Sequence, residues 1–120
     1  MGAGMQLPHE AELLRIFIGE DDRYQSMPLY EAIVQAARKR GMAGATVLRG
    51  QIGFGAHSRI HTTKILRLSE DLPIVVEIVD EPEKIKAFLP ELDEMIAEGL
   101  VTLEKIRVIT YRHNPDKMEH

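Results

Sequence analysis

Between Gly41 and Thr63 the chain reads Gly-Met-Ala-Gly-Ala-Thr-Val-Leu-Arg-Gly-Gln-Ile-Gly-Phe-Gly-Ala-His-Ser-Arg-Ile-His-Thr-Thr. Gly50, Gly53 and Gly55 can adopt positive φ and let backbone N–H groups come close to a ligand. Arg49, His57, Arg59 and His61 bring fixed or switchable positive charge to the same stretch. Backbone donors beside guanidinium groups that grip an oxyanion at two points suit a phosphate, with Arg49 and Arg59 as its contacts. The spacing G-x-x-G-x-G matches neither the Walker loop nor the Rossmann fingerprint, so composition by itself names no nucleotide fold.

Three other chemistries compete for attention. His57 and His61 flank Arg59, but a metal site needs a third ligand from elsewhere, such as Glu20, Asp21 or Asp22. The preferred reading is solvated histidines, and no metal ligand is assigned. The Glu20-Asp21-Asp22 turn can hold Mg²⁺ accompanying a phosphate, or it is a polar turn paired with Arg23; the second reading is preferred. Ser58 lies beside His57 and His61 without an orienting carboxylate nearby in sequence. There is no nucleophile elbow, no H-E-x-x-H and no P-loop, so no catalytic residue is assigned and the chain reads as a non-enzyme.

The elements that must carry these residues follow from periodicity. Leu14, Ile16 and Ile18 alternate with Arg15 and Phe17, giving a first strand with one buried face. Gly19 through Met27 is polar and reads as a loop. A helix then begins at Pro28 with Ser26 as its cap, shows a stripe of Leu29, Ile33, Ala36 and Ala37, and stops at Lys39-Arg40-Gly41. Ala45–Gln51 is a second strand. Leu72–Val79 is an almost continuous apolar run with Pro73 at its start, the pattern of a central strand. Asp80 with Glu83 predicts a capping box, followed by a helical stripe of Ile85, Phe88, Leu89, Leu92, Met95 and Ile96. Pro90 predicts a kink or a restart within it, and Gly99 its end. Leu103, Ile106, Val108 and Ile109 mark a last strand.

The order β-α-β-β-α-β is the split βαβ of the ferredoxin-like superfold, an α+β sandwich with both helices on one face of a four-stranded antiparallel sheet. The other face is then bare. Phe17, Val47, Val75, Val79 and Val108, or their alternates, would be exposed in a monomer, and covering them with further copies of the chain is the expected remedy.

With 120 residues and an apolar fraction of 44%, this is one ordinary globular domain. Met1–Glu12 shows no clear period and reads as a flexible leader, residues 13–112 as the domain, and residues 113–120 as a polar tail. A net charge of −4 argues against a general nucleic-acid binder. The absence of cysteine excludes disulfides and thiolate sites. No apolar run approaches the ~20 residues that span a bilayer, and the N-terminus lacks a signal-peptide pattern, so the expectation is a cytoplasmic protein not itself embedded in a membrane.

Gly41-Met-Ala-Gly-Ala-Thr-Val followed by Arg-Gly-x-x-Gly-Phe-Gly resembles the end of helix one, strand two and the start of the T-loop in PII-type nitrogen-regulatory proteins. Together with Arg15-Ile-Phe-Ile-Gly-Glu-Asp-Asp-Arg-Tyr and Leu68-Ser-Glu-Asp-Leu-Pro-Ile-Val-Val-Glu-Ile-Val-Asp, it more closely resembles the PII-like family called domain of unknown function 190. The likeness runs from Leu13 to Tyr111. It implies a homotrimer with nucleotide clefts between subunits, and a signalling role exerted through a T-loop at Gly53–Lys64. Nucleotide-binding candidates are then Gly41, Thr46, Val47, Arg49, Gly50, Gly53, Gly55, Arg59 and Arg112. PII proteins carry a glycine-rich loop with a lysine after helix two; here only Glu98-Gly99-Leu100-Val101-Thr102 joins that helix to the last strand. The expected ligand is therefore AMP or ADP rather than ATP; Mg at the acidic turn beside its phosphate is the less favoured of that turn's two readings. Family members encoded beside fluoride-exporting channels suggest a membrane transporter as partner. The alternative implied by the same fold is a metal-responsive or metal-buffering trimer like the copper-tolerance proteins, in which His57 and His61 would matter.

Overall fold

The computed structural model describes residues 10–51 and 71–112. The elements are β1 (Glu10–Gly19), a small hairpin of β2 (Arg23–Tyr24) and β3 (Met27–Pro28), α1 (Leu29–Lys39), β4 (Thr46–Arg49), β5 (Pro73–Asp80), α2 (Pro82–Met95) and β6 (Leu100–Arg107). The sheet has the order β4-β5-β1-β6, and every neighbouring pair is antiparallel. This is the ferredoxin-like α+β sandwich that the alternation of patterns predicts. β1 begins at Glu10, so Glu10–Glu12, read as leader, are strand.

Period-two alternation sorts the strand residues onto two faces. Leu14, Ile16 and Ile18 of β1 and Ile74, Val76 and Ile78 of β5 are buried against the helices. Leu29, Ile33, Ala36 and Ala37 of α1 and Ile85, Phe88, Leu92 and Met95 of α2 close the core from above. Phe88 is fully buried, and burial of such a ring stabilises the fold by roughly 1.5–3 kcal/mol.

The open face is organised in rows. Leu48, Val75, Phe17 and Leu100 are register partners across all four strands, an apolar row with Phe17 37% and Leu100 57% exposed. Thr46, Glu77, Arg15 and Thr102 form the next row, and Val79, Leu13 and Glu104 the one after. Arg15 bonds Glu77 at 3.0 Å and Glu104 at 3.3 Å, so one guanidinium serves two carboxylates in the middle of this face. Phe17, Val75 and Val79 lie where the pattern puts them. Val47 does not: it pairs with Val76 and shares the helix side, while Leu48 takes the open face. Val108 lies beyond the strand, which ends at Arg107.

Several boundaries differ from expectation for local reasons. Ser26 does not cap α1, because it sits in the β2–β3 turn with its carbonyl accepting from Arg23; Pro28 is the N-cap and no side chain caps the helix. β4 spans only Thr46–Arg49, and Gly50 then donates to the Pro73 carbonyl at 2.7 Å. Pro73 offers no N–H in return, so the ladder stops there. The Asp80–Glu83 capping box does not form: Asp80 is the last residue of β5, Glu81 is the N-cap, and no side chain caps α2. α2 runs through Pro90 without a restart and ends at Met95, where Ile96 turns to extended backbone. β6 therefore starts early, at Leu100, paired with Phe17.

Candidate functional site

Gly41 ends α1 at φ +71, a conformation that disfavours a side chain, and turns the chain out of the helix. Residues 42–45 then cross to the start of β4. A hollow of about 400 Å³ lies there. Residues 43–46 form one wall, Glu77 and Val79 of the open sheet face form its floor, and Val108, Thr110 and Tyr111 approach from beyond β6. A second hollow, about 270 Å³, lies behind the same loop and adds Val34, Ala37, Arg38 and Met42 to residues 43–45. The first hollow combines small side chains and hydroxyls with the Tyr111 ring and the Glu77 carboxylate, which Arg15 holds. It is in the size range of small-molecule sites, and its floor lies on the same sheet face as the apolar row, which the described residues leave exposed.

The other end of β4 carries a different arrangement. Arg49 Nη2 pairs with Glu20 Oε2 at 2.6 Å, and the Arg49 side chain remains 52% exposed. The turn after β1 is tied by its own carboxylates: Asp22 Oδ2 accepts from the Gly19 amide at 2.9 Å, and Asp71 Oδ1 accepts from the Asp21 amide at 3.0 Å. The Glu20 amide donates to the Leu72 carbonyl at 2.8 Å. The turn is thus a polar structural turn, but the cation paired with Glu20 is Arg49; Arg23 donates to the Ser26 carbonyl instead. Among the described residues no three acidic or histidine side chains converge on a point that a metal could take.

Of the candidate nucleotide residues, Thr46 lines the first hollow and Gly41 precedes its wall, with its carbonyl accepting from Lys84 Nζ at 3.3 Å. Arg112 follows Tyr111 and is exposed. Val47 lies on the helix side of the sheet by its pairing with Val76, but on the edge strand, where it stays 37% exposed and outside the core. Arg49 and Gly50 lie at the far end of β4, roughly 10 Å from Thr46 for three residues of strand. Gly50 does not have positive φ; it is glycine because an added Cβ would meet Pro73 Cγ at 2.7 Å. Gly53, Gly55, His57, Arg59 and His61, and the whole Gly53–Lys64 segment, lie outside the described residues. Reasoning from sequence missed Glu77, Val79, Thr110 and Tyr111 as lining residues. For Glu77 a signal existed: it is the lone charge in the apolar run Leu72–Val79.

The connection from α2 to β6 is only Ile96-Ala97-Glu98-Gly99, four residues without a lysine. The model of the family DUF190, "Uncharacterized ACR", matches residues 11–108. The chain belongs to this DUF190 family. A UPF0166 protein of Aquifex aeolicus is 45% identical over 98 residues, covering 82% of this chain and 92% of that relative. The fold is also that of a PII-like signalling protein from Thermus thermophilus (TM-score 0.58, 16% identity, 83% of this chain and 90% of that one). It is likewise the fold of CPII from Thiomonas intermedia bound to ADP and bicarbonate (TM-score 0.54, 18% identity, 82% and 88% covered). A further CPII structure holds ADP, AMP and acetate (TM-score 0.53, 17% identity, 83% and 89% covered). The DUF190 chain is thus PII-like in fold, and among its described residues no helix is long and apolar enough to cross a membrane.

Proposed function

We propose that this DUF190 chain is a non-enzymatic PII-like signalling module. It binds an adenine nucleotide, AMP or ADP rather than ATP, at clefts between the subunits of a homotrimer in the cytoplasm. It then acts on a partner, a membrane transporter, through the segment Gly53–Lys64. The observation that carries this reading is the hollow beside residues 43–46, whose floor runs into a sheet face with an apolar row that the described residues leave exposed. A site at that margin is half-built, and a neighbouring copy laid on the open face supplies its missing wall. The nucleotides in CPII structures of the same fold support the ligand class.

Within this reading the Tyr111 ring offers a face for adenine, and the hydroxyls of Thr46 and Thr110 suit the sugar. Arg112, Arg49 and Arg59 are the phosphate candidates, and a phosphate at Arg49 must displace Glu20. The four-residue α2–β6 connection leaves no lysine-bearing loop for a third phosphate, which is why AMP and ADP are favoured.

Titration calorimetry with AMP, ADP and ATP tests this. The expected result is micromolar binding of AMP or ADP, about −8 kcal/mol, with ATP no tighter. Arg49→Ala and Arg112→Ala are measured separately, and the one that weakens binding identifies the phosphate end. No heat with any of the three nucleotides rejects the ligand class; a strong preference for ATP rejects the argument from the short connection.

A further inference from the structure

Asp80 is the one charged side chain that is buried among the described residues, 2% exposed. It pairs with no cation there. A carboxylate out of water is tolerated only when hydrogen bonds replace its hydration. Both its oxygens are used. Oδ1 accepts from the Glu81 amide at 2.7 Å, at the start of α2. Oδ2 accepts from the Ala43 amide at 2.8 Å, across 37 positions of chain, in the loop that walls both hollows. Two exposed contacts run in parallel from α2 to the same turn: Lys84 Nζ to the Gly41 carbonyl at 3.3 Å, and Glu91 to Arg40 at 2.7 Å. An apolar residue at 80 could fill the same space, but it would leave two amides without an acceptor.

We propose that Asp80 is a positioning residue for the ligand hollow. Its carboxylate pins Ala43, so that residues 43–45 keep the shape that receives the nucleotide, and it links that wall to the first turn of α2. Asp80 itself does not line the hollow. The inference rests on the reading of this hollow as the nucleotide cleft.

Asp80→Asn keeps the shape of the side chain but has one acceptor for two amides. Its own neighbour Glu81 takes that acceptor and Ala43 is released. The test compares D80N with Ile85→Val, a core change of α2 that lowers stability at a residue lining neither hollow. In the full-length ¹⁵N-labelled protein, amide exchange at Ala43 should quicken about tenfold or more in D80N, and ADP binding should weaken about fivefold or more. I85V should leave ADP affinity within about twofold of the parent and quicken Ala43 exchange by no more than its loss of global stability accounts for. Should D80N fail to fold, Asp80→Ser serves: its hydroxyl can accept from Glu81 but is too short to reach Ala43.

If Ala43 exchanges no faster in D80N than in I85V, the proposal is overturned. If exchange quickens but ADP affinity holds, Asp80 only stabilises the fold, and the proposal is overturned as well. If the parent protein binds neither ADP nor AMP, the nucleotide reading fails by itself. Ala43 exchange, which needs no ligand, then still decides whether Asp80 holds the loop.

Discussion

At single residues, two contacts at the C-terminal end of β4 govern what the strand can do. Gly50 lies so close to Pro73 that a Cβ would meet the ring at 2.7 Å, and the neighbour is a rigid pyrrolidine rather than a flexible chain end. Gly50→Ala should therefore lower stability by about 1–3 kcal/mol, the usual range for overpacking. Gly44→Ala is the control, since an added Cβ meets nothing within 4 Å and its φ is not positive. It should stay within about 0.5 kcal/mol of the parent. Urea titration of both variants checks this, and equal midpoints would contradict the close-approach argument. The Arg49–Glu20 pair belongs to the same scale but to a different regime. With the guanidinium side 52% exposed, it contributes at most about 1 kcal/mol, small enough for a phosphate to replace the carboxylate.

Among the elements, α2 carries an avoidable defect. Pro90 is exposed and lies inside the helix, where it lacks the N–H that an interior residue contributes. Proline costs about 3 kcal/mol relative to alanine in a helix interior, partly offset because it also stiffens the unfolded chain by about 1 kcal/mol. Pro90→Ala should raise stability by roughly 1–2 kcal/mol. Thermal or urea unfolding measures it, and a loss of stability would mean that the proline sets a bend needed for packing. The helix survives its proline because Ile85, Phe88, Leu92 and Met95 bury one continuous face on both sides of it. Tertiary burial outweighs the local propensity.

For the whole molecule, the open face decides the outcome. Leu48, Val75, Phe17 and Leu100 make an apolar row across the full width of the sheet, beside a cluster in which Arg15 holds two carboxylates. A face of this kind is poorly suited to water, and a second and third copy can cover it with closed symmetry. We predict a homotrimer of the 13.6 kDa chain, seen by light scattering at micromolar concentration. Val75→Asp, at the centre of the row, should dissociate it or render it insoluble while leaving the helix side of the sheet untouched. A stable monomer of the parent protein would remove both the trimer and the shared cleft.

The sequence by itself determined the fold class, the two helical stripes and the buried alternation of β1, because a periodic apolar pattern has few ways to be buried. Leu14, Ile16 and Ile18 could face only a core, and the order of elements then left little choice of topology. It also led to the family, through motifs that span most of the chain. What it did not determine was register and connection. Whether Val47 or Leu48 meets the open face depends on which residue of β5 stands opposite, and a shift of one residue reverses every side chain. Asp80 reads in sequence as a helix cap, yet one of its two oxygens accepts from Ala43, a residue brought to it only when β5 and the α1–β4 loop are packed together. Thr46 and Arg49 are neighbours in the motif but stand at opposite ends of β4. Glu77, Tyr111 and Thr46 meet around one hollow although the chain separates them widely. Such meetings are set by long-range pairing and packing, which no local pattern of residues encodes.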